Sequence, residues 1–435
     1  MKRTLTLLDS TMINVGTIIG SGIFLVPTTI ALYMHSTSMT LLVWLAAGVL
    51  ALFGALSMAE LGAAMPRAGG QFVYLKEAYG PFWGFLYGWS SFWVINSASI
   101  AALAVAFATY LNYFHPVTPL QIKLIAIITI IFFTLLNIYG LRTGVWVQNI
   151  ITFVKIGGLL AIIILGFFLS GGETANFQPL IPDRNFSSLI PLIGLALVAA
   201  LWSYDGWIEI TYVGGEVKNP GRNIPLSLFL SILIIIVIYI LVNIVFIFLL
   251  SLSVMAESPM VASDAISVVV GSAGTSIVVL LILVSTLGGV HVNILTSPRI
   301  YYAMAREKLF FDSLAKIHTK HGTPAFSLIV SGIWSSLLVF SSTFYQLITY
   351  VVFVSWIFYA MSCAGVIILR YKQPNLERPY RTWGYPVVPA IFILFSCFLV
   401  INTIISDIPS ALIGTGIILT GIPAYLYWKR KYPSN

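Results

Sequence analysis

Long runs of apolar residues recur along the whole chain and are separated by short polar segments. A helix needs about 20 mostly apolar residues to cross a bilayer, and twelve such runs are present. The predicted spans, numbered 1 to 12, are 9–34, 39–65, 83–114, 122–140, 145–170, 188–214, 223–250, 264–304, 324–342, 345–369, 386–405 and 408–428. Spans 3 and 8 are long enough that we expect strong tilt or extension beyond the membrane. The pattern predicts an all-α integral membrane protein with twelve transmembrane helices.

Small and polar residues interrupt span 1 where it should lie deepest in lipid. The stretch VGTIIGSGIF, residues 15–24, contains Gly16, Gly20 and Gly22 together with a threonine and a serine. Glycine weakens a helix because it leaves the backbone more freedom. Gly16 and Gly20 could form a GxxxG packing face, or the helix could be open at this point.

Span 6 has a comparable interruption in LWSYDGW, residues 201–207. The start of span 1 lies 74 residues before the start of span 3 (83 − 9), and span 6 starts 76 residues before span 8 (264 − 188). The two breaks are five spans apart, so the two halves of the chain have opposite membrane orientation. Paired breaks at matching places indicate the binding site of an inverted-repeat transporter and favour helix opening over packing.

A broken helix exposes N–H groups with partial positive charge and C=O groups with partial negative charge. An α-amino acid zwitterion matches this pair of poles. We expect its carboxylate to bind the N–H groups near Gly20, Ser21 and Gly22, where glycine allows close approach. The ammonium is expected to face the carbonyl groups around Thr17, Ile18, Trp202 and Ser203.

Three aromatic residues are singled out by their positions. Trp202 and Tyr204 lie at the break in span 6, and Tyr239 lies in span 7. A bulky ring beside the site can close it from one side, as alternating access requires. For Tyr239, core packing explains the residue equally well.

Ionisable residues are rare within the spans, and Lys155 lies deepest. It is about ten residues into span 5, or roughly 15 Å at about 1.5 Å per residue, which is too deep for easy snorkelling. It could reach a water-filled vestibule without any role. The functional interpretation is a cation that ties span 5 to broken span 1 and to span 8, where it replaces a sodium ion or exchanges a proton.

The remaining ionisable residues in the spans have less specific interpretations. Asp205 lies beside the second break, where it could bond freed backbone amides or bias substrate charge, and the structural role is favoured. Glu209 follows in the same span as a possible titrating group. Glu60 lies near the end of span 2, where a solvated or paired carboxylate is expected. His291 in span 8 fits either a neutral, hydrogen-bonded histidine or a proton relay.

Composition and charge placement agree with a membrane protein. Of the 435 residues, 59% are hydrophobic and 8% are charged, whereas soluble domains carry about 25% charged residues. If the N-terminus is cytoplasmic, 19 of the 22 Lys and Arg residues lie on the cytoplasmic side. The positive-inside rule therefore predicts that both termini are cytoplasmic, and the net charge of +8 reflects topology and not nucleic-acid binding.

No motif for soluble-enzyme chemistry is present. The sequence lacks a G-x-x-x-x-G-K-[ST] phosphate loop, an H-E-x-x-H motif and a C-x-x-C pair, so we expect no catalytic residues, cofactor, metal site or direct ATP-driven transport. Cys363 and Cys397 both lie in apolar spans and are expected to be buried packing residues, not a disulfide.

Several motifs along nearly the whole chain carry a resemblance. VGTIIGSGIF, FVKIGGLLAIIILG around Lys155, LWSYDGW and GGEVKNPGRNIP at 214–225 resemble the amino acid–polyamine–organocation (APC) superfamily. Within it the chain is similar to the L-type amino acid transporter branch, in particular its bacterial alanine–serine–cysteine exchangers. GGEVKNPGRNIP together with the lysine is the more specific signal.

The resemblance implies a LeuT-like fold of five plus five helices in an inverted repeat with two additional C-terminal helices. The repeats would occupy 1–170 and 171–370, followed by 371–435. It also implies sodium-independent exchange of small neutral L-amino acids such as alanine, serine and cysteine in the bacterial inner membrane. The residue roles it supports are carboxylate binding by Gly20, Ser21 and Gly22, a Trp202 gate, a Tyr239 pocket contact and a Lys155 link to helices 1 and 8.

Some features leave alternatives open. Animal members pair with a glycoprotein through a cysteine in the loop between helices 3 and 4, but here that loop reads FHPVTPLQ, so no disulfide-linked heavy subunit is expected. A proton-coupled symporter of broader or cationic substrate range, titrating at Lys155 or Glu209, is the nearest alternative function. A channel or membrane sensor is more remote.

Overall fold

The computed structural model describes residues 2–169, 171–182, 186–340 and 344–432. This part of the chain is helical, and its only β pairing is an isolated parallel bridge between Leu5 and Val217. The helices up to residue 168 are α1 (Leu7–Ile18), α2 (Gly22–Met34), α3 (Thr37–Ala64), α4 (Gln71–Tyr79), α5 (Pro81–Ser90), α6 (Asn96–Leu111), α7 (Pro119–Ile138) and α8 (Leu141–Phe168).

The remaining helices are α9 (Phe186–Ser203), α10 (Glu209–Tyr212), α11 (Pro220–Leu249), α12 (Leu252–Glu257), α13 (Val261–Val270), α14 (Ala273–Thr296), α15 (Pro298–Arg306), α16 (Ala325–Leu338), α17 (Phe344–Lys372), α18 (Val387–Ser406) and α19 (Ile408–Lys431). Short 3₁₀ turns occupy Thr174–Phe177, Gly214–Glu216 and Asp312–Ala315, and a π-helical turn, Ser91–Ile95, joins α5 to α6.

The all-α membrane architecture predicted from the sequence is confirmed. Among the described residues, nine helices are long and apolar enough to cross a bilayer, or ten when α1 and α2 count as one bent span. The exact number of twelve is not confirmed, because two predicted spans contain only shorter apolar helices, Leu189–Ser203 and Ala325–Leu338. Large apolar side chains are exposed along the outer helices, for example on α18 and α19, as expected for a surface that faces lipid.

Predicted span 8 differs from the structure. The run 264–304 was expected to be one tilted or extended helix, but the chain ends α13 at Val270 and starts α14 at Ala273. Gly271 has a φ of +66° between them, a left-handed conformation that only glycine adopts readily. An apolar run therefore continued through a turn that hydropathy does not detect.

Both cysteines were predicted to be buried, and this prediction is wrong for Cys397. Cys363 is buried, whereas Cys397 is exposed, and both are free thiols. Cys397 lies on the face of α18 that also exposes Leu394 and Phe398. All three side chains are exposed in the structure, and a cysteine is apolar enough to contact lipid.

The centre of the structure is built around α1. Helix α1 packs on α8, α11 and α14, while α3 packs along α11 and α6 along α14. Every residue of α1 from Asp9 to Gly16 is buried, including polar ones, so α1 is surrounded by protein and not by lipid. This placement lets a helix that carries polar groups exist at membrane depth.

Glu60, for which a solvated or paired role was predicted, is buried and paired. Its carboxylate accepts hydrogen bonds from Arg370 Nε at 2.9 Å and Nη2 at 2.7 Å, and from the Thr382 backbone N–H at 2.8 Å. Arg378 Nε lies 3.3 Å from the same carboxylate. These contacts anchor the segment between α17 and α18 to the end of α3.

Replacing Glu60 tests this anchor. Glu60→Gln should lower the thermal stability of the purified protein, because removing one partner of a buried ion pair costs roughly 3–5 kcal/mol. The matched control is Glu77→Gln, since Glu77 is partly exposed and its contact with exposed Arg67 is 3.5 Å. Thermal unfolding followed by tryptophan fluorescence gives the comparison. Equal unfolding temperatures for the two variants would contradict the anchor.

Candidate functional site

The first break separates α1 from α2, whose axes are bent by 48°. The N–H of Gly20 turns back to the carbonyl oxygen of Ile18 at 2.8 Å. In the described chain, the N–H groups of Ser21 and Gly22 make no hydrogen bond to another backbone group. The start of α2 therefore presents free donors with the partial positive charge of a helix N-terminus.

The second break separates α9 from α10. Gly206 lies in this break with a φ of +97°, a conformation in which a residue with a side chain would be strained. The N–H of Ile210 at the start of α10 donates to Asn14 Oδ1 of α1 at 3.0 Å. A side chain of the first broken helix thus satisfies the backbone of the second.

The two breaks touch each other. A Cβ atom added to Gly22 would lie 2.6 Å from Ser203 Oγ and 3.0 Å from Ser203 Cα. A Cβ atom added to Gly206 would lie 2.5 Å from Thr17 Cγ2. The glycines therefore have a second purpose besides turning the chain, since they let the open ends of the two helices approach closely.

Tyr239 of α11 bridges the ends of α1 and α9. Its hydroxyl lies 3.1 Å from the carbonyl oxygen of Ile18 and 3.2 Å from that of Ser203. Tyr204 packs against the ring of Tyr239 with centroids 5.2 Å apart, and both rings are fully buried. Tyr239 therefore contacts the carbonyl groups at both breaks, and Tyr204 packs against Tyr239.

A cavity of about 120 Å³ lies in front of the breaks. A single water molecule needs roughly 10–15 Å³ of such space. The cavity is therefore large enough for a small organic molecule. Nine predicted residues line it, namely Thr17, Ile18, Gly20, Ser21, Gly22, Trp202, Ser203, Asp205 and Glu209. Tyr204, Tyr239 and Lys155 are not among its lining residues.

The opposite wall was not predicted. Helices α6, α14 and α17 contribute the polar residues Asn96, Ser99, Asn293, Ser355 and Tyr359. Polar residues in an apolar span were the available signal, but many spans contain such residues and only the packing selects these. Ser355 Oγ is buried and has no hydrogen-bond partner among the described residues.

Lys155 does not line the cavity but bonds to the broken end of α1. Its Nζ donates to the carbonyl oxygen of Gly16 at 2.7 Å and to that of Ile19 at 2.8 Å. A Cβ atom on Gly288 of α14 would come within 2.8 Å of the same nitrogen. The buried cation is therefore in contact with the broken end of α1 and with α14.

The two carboxylates of the second break line the cavity. Asp205 Oδ1 accepts a hydrogen bond from the Tyr359 hydroxyl at 2.9 Å, and Glu209 is hydrogen-bonded to the Thr296 hydroxyl. Neither carboxylate forms an ion pair within the described part of the chain. No group of three His, Cys, Asp or Glu residues there could hold a metal ion.

The N-terminal segment is tied to the loop after α10. The N–H groups of Thr4 and Leu5 donate to the carbonyl oxygen of Glu216, and the N–H of Lys218 donates to that of Leu5. The cavity lies farther along the helices, where its lining residues on α6 occupy the middle and second half of the α5–α6 span. On α17 they reach as far as Tyr359, about the midpoint of that helix.

Two broken helices that enclose a buried cavity define a membrane transporter of the broken-helix class. The amino acid permease family model matches residues 5–425. The chain therefore belongs to the amino acid permeases of the APC superfamily, in the L-type branch, and is an amino acid transporter and not an enzyme.

Relatives that match along most of the chain carry related names. The b(0,+)-type amino acid transporter 1 of Mus musculus is 34% identical over 416 residues, which cover 94% of this chain and 84% of the relative. The large neutral amino acids transporter small subunit 2 of Mus musculus is 33% identical over 446 residues, covering 99% and 82%. The cystine/glutamate transporter of Pongo abelii is 32% identical over 439 residues, covering 99% and 87%.

The close approach of the two breaks, at Gly22 and Ser203, can be tested by substituting Gly22. We expect Gly22→Ala to reduce uptake of a mixture of ¹⁴C-labelled L-amino acids into proteoliposomes by about tenfold or more, since overpacking costs roughly 1–3 kcal/mol. Gly157→Ala in α8 is the control, because nothing lies within 4 Å of a Cβ added there. Both variants should elute as folded protein on size exclusion. Wild-type uptake by Gly22→Ala would contradict the crossing.

Proposed function

We propose that this protein is a sodium-independent exchanger of small neutral L-amino acids such as alanine, serine and cysteine, working by alternating access. The observation that carries the proposal is the pair of helix breaks that meet at one small cavity. Amino acid transport itself is given by the family; the substrate size, the exchange mode and the residue roles are the proposal.

The carboxylate of the substrate would bind the free N–H groups of Ser21 and Gly22 at the start of α2. Its ammonium would face carbonyl groups at the ends of α1 and α9. Tyr239 lies close to the carbonyls of Ile18 and Ser203, but a hydroxyl has one proton and donates to one of them at a time. At least one of these carbonyl oxygens can therefore still accept a hydrogen bond from the substrate ammonium. The substrate backbone is held without a charged side chain.

Lys155 supports sodium independence. The ends of broken helices expose carbonyl groups that a cation can stabilise, and here a lysine ammonium occupies that role with contacts of 2.7 and 2.8 Å to Gly16 and Ile19. A built-in cation makes a bound sodium ion unnecessary. The positive charge of Lys155 is not transported with the substrate. Transport would then not be coupled to a sodium gradient, as expected of an exchanger.

The proposed orientation follows from charge placement. With Lys and Arg on the cytoplasmic side, both termini are cytoplasmic. Because the N-terminal segment is bonded to the loop after α10 at that side, we infer that this side is closed and that the cavity faces outward. Trp202 lines the cavity and is only partly buried, so its ring is available as a gate. We place the protein in the bacterial plasma membrane, with inverted repeats at 1–170 and 171–370 and two further helices within 371–435.

A proton-coupled symporter is the second candidate. Asp205 and Glu209 line the cavity, and no cation of the described chain lies within ion-pair distance of either. A buried carboxyl group without a counter-charge is a candidate for proton binding. Such a wall also suits a substrate with a positively charged side chain.

The partner requirement is also a proposal. One of the relatives, the large neutral amino acids transporter small subunit 2, is named as a small subunit. In this chain the segment between α6 and α7 contains no cysteine, so any partner would have to associate without a disulfide at this loop. We propose that the chain transports amino acids without a disulfide-linked heavy subunit.

Proteoliposomes decide between the two candidate functions. For exchange, uptake of labelled alanine should rise strongly when the vesicles contain unlabelled alanine, and it should not respond to sodium or to a pH gradient. Vesicles without protein and vesicles loaded with a sugar are the controls. Uptake into empty vesicles driven by an inward proton gradient would overturn exchange and support symport.

Lys155→Ala should reduce alanine exchange by roughly tenfold or more, because two buried carbonyl groups lose a charge-assisted donor, a contact of roughly 1.5–3 kcal/mol. The control is Lys316→Ala, since Lys316 is exposed in the loop after α15. Initial exchange rates at equal protein incorporation provide the measurement. A wild-type rate in Lys155→Ala would remove the proposed role.

A further inference from the structure

One face of α8 is polar along its contact with α1. Gln148, Thr152 and Lys155 are spaced four and three residues apart, so they share a face of the helix. All three are buried, with exposed fractions of 0%, 0% and 2%. The function proposed above uses the lysine alone and leaves the other two polar groups unexplained.

Gln148 and Thr152 form a hydrogen-bond chain that starts at His291 of α14. His291 Nδ1 lies 2.9 Å from Gln148 Oε1, Gln148 Nε2 lies 3.4 Å from Thr152 Oγ1, and Thr152 Oγ1 lies 3.2 Å from the carbonyl oxygen of Met12 in α1. The chain connects three helices, α14, α8 and α1, entirely inside the protein.

The chemistry of the groups fixes the direction of the bonds. The Met12 carbonyl can only accept, so the Thr152 hydroxyl donates to it and accepts a hydrogen bond from the amide N–H of Gln148. Gln148 Oε1 then accepts from an Nδ1–H of His291. His291 Nε2 is buried without a partner in the described chain, so the histidine contributes a single bond, which orients Gln148.

The chain exists only while α1 lies against α8. A Cβ atom added to Gly16 would be 2.2 Å from Thr152 Oγ1 and 2.3 Å from Gln148 Nε2, so the side chains press directly on the backbone of α1. One turn nearer the N-terminus, Asn149 of α8 also donates to Asp9 of α1 at 2.8 Å. Movement of α1 away from α8 would break these contacts together.

We propose that Gln148, Thr152 and His291 are positioning residues that hold α1 in the conformation whose N-terminal end is closed. Opening at that end requires α1 to leave α8, and the chain adds to the energy that this movement costs. The proposal rests on the alternating access proposed above. It differs from the role of Lys155, which binds the carbonyl groups of Gly16 and Ile19 at the broken end of α1, because the hydrogen-bond chain ends at the carbonyl of Met12, about one turn before Gly16.

Removing the Thr152 hydroxyl tests the chain. Thr152→Val keeps the shape and should shift the population toward the open N-terminal end by roughly two- to tenfold, the value of one neutral hydrogen bond. Backbone amides of residues 7–18 should then exchange with deuterium faster, as followed by mass spectrometry. In transport, half-saturation should rise on the side that the cavity faces in this structure and fall on the opposite side.

Two further variants separate positioning from general destabilisation. Thr152→Ser restores the hydroxyl and should recover the wild-type exchange of residues 7–18. Thr129→Val is the matched control, because Thr129 is buried and, among the residues that the structure describes, its hydroxyl bonds only to the Ile125 carbonyl in its own helix. Gln148→Met provides a second interruption of the chain if Thr152→Val does not fold.

Deuterium exchange does not depend on transport, so the two proposals fail separately. Wild-type exchange of residues 7–18 in both Thr152→Val and Gln148→Met would overturn the positioning role, whatever the transport result. The same outcome follows if Thr129→Val accelerates exchange equally. Suppose that deuterium exchange is faster in Thr152→Val and Gln148→Met, but the wild-type protein shows no trans-stimulation of alanine uptake. The positioning role of the hydrogen-bond chain would then stand, and the proposed exchanger would be overturned.

Discussion

The structure depends on one constraint, which is that a polar backbone inside a membrane must find partners within the protein. Breaking α1 and α9 releases carbonyl and N–H groups at a depth where water and lipid do not satisfy them. Lys155, Tyr239 and Asn14 bond several of these groups. Lys155 belongs to α8 and Tyr239 to α11, whereas Asn14 belongs to α1 itself and bonds the second break. The packing of α1 on α8, α11 and α14 is therefore a condition for the site.

The site that results leaves some backbone groups free while it satisfies others. Donors at the start of α2 face the cavity, whereas the supporting side chains approach from behind. This division suits a ligand whose own charges complete the bonding of the free backbone groups, in a cavity that the carboxyl groups of Asp205 and Glu209 also line. The same division explains why the predicted aromatic residues Tyr204 and Tyr239 lie outside the cavity and still affect its shape.

Prediction from the sequence succeeded for features that depend on residues close together along the chain or on a repeated hydrophobic pattern. Long apolar runs gave the membrane architecture, and glycines at matching places gave both breaks. It failed where an apolar run hides a turn, as at Gly271, and where hydropathy cannot tell lipid from protein, as at Cys397. The cavity wall contributed by α6, α14 and α17 was missed because its residues are distant in sequence and look like any polar residue in a span.

The sequence by itself determined that the chain is a membrane protein, that two apolar spans are interrupted near Gly20 and Gly206 and that a lysine lies within an apolar span, because each follows from residue type and spacing along one segment. Only the tertiary structure decided which groups meet. That Lys155 binds the carbonyls of Gly16 and Ile19, and that His291 reaches α1 through Gln148 and Thr152, depends on how helices pack. Such contacts join residues more than one hundred positions apart, which no local pattern encodes.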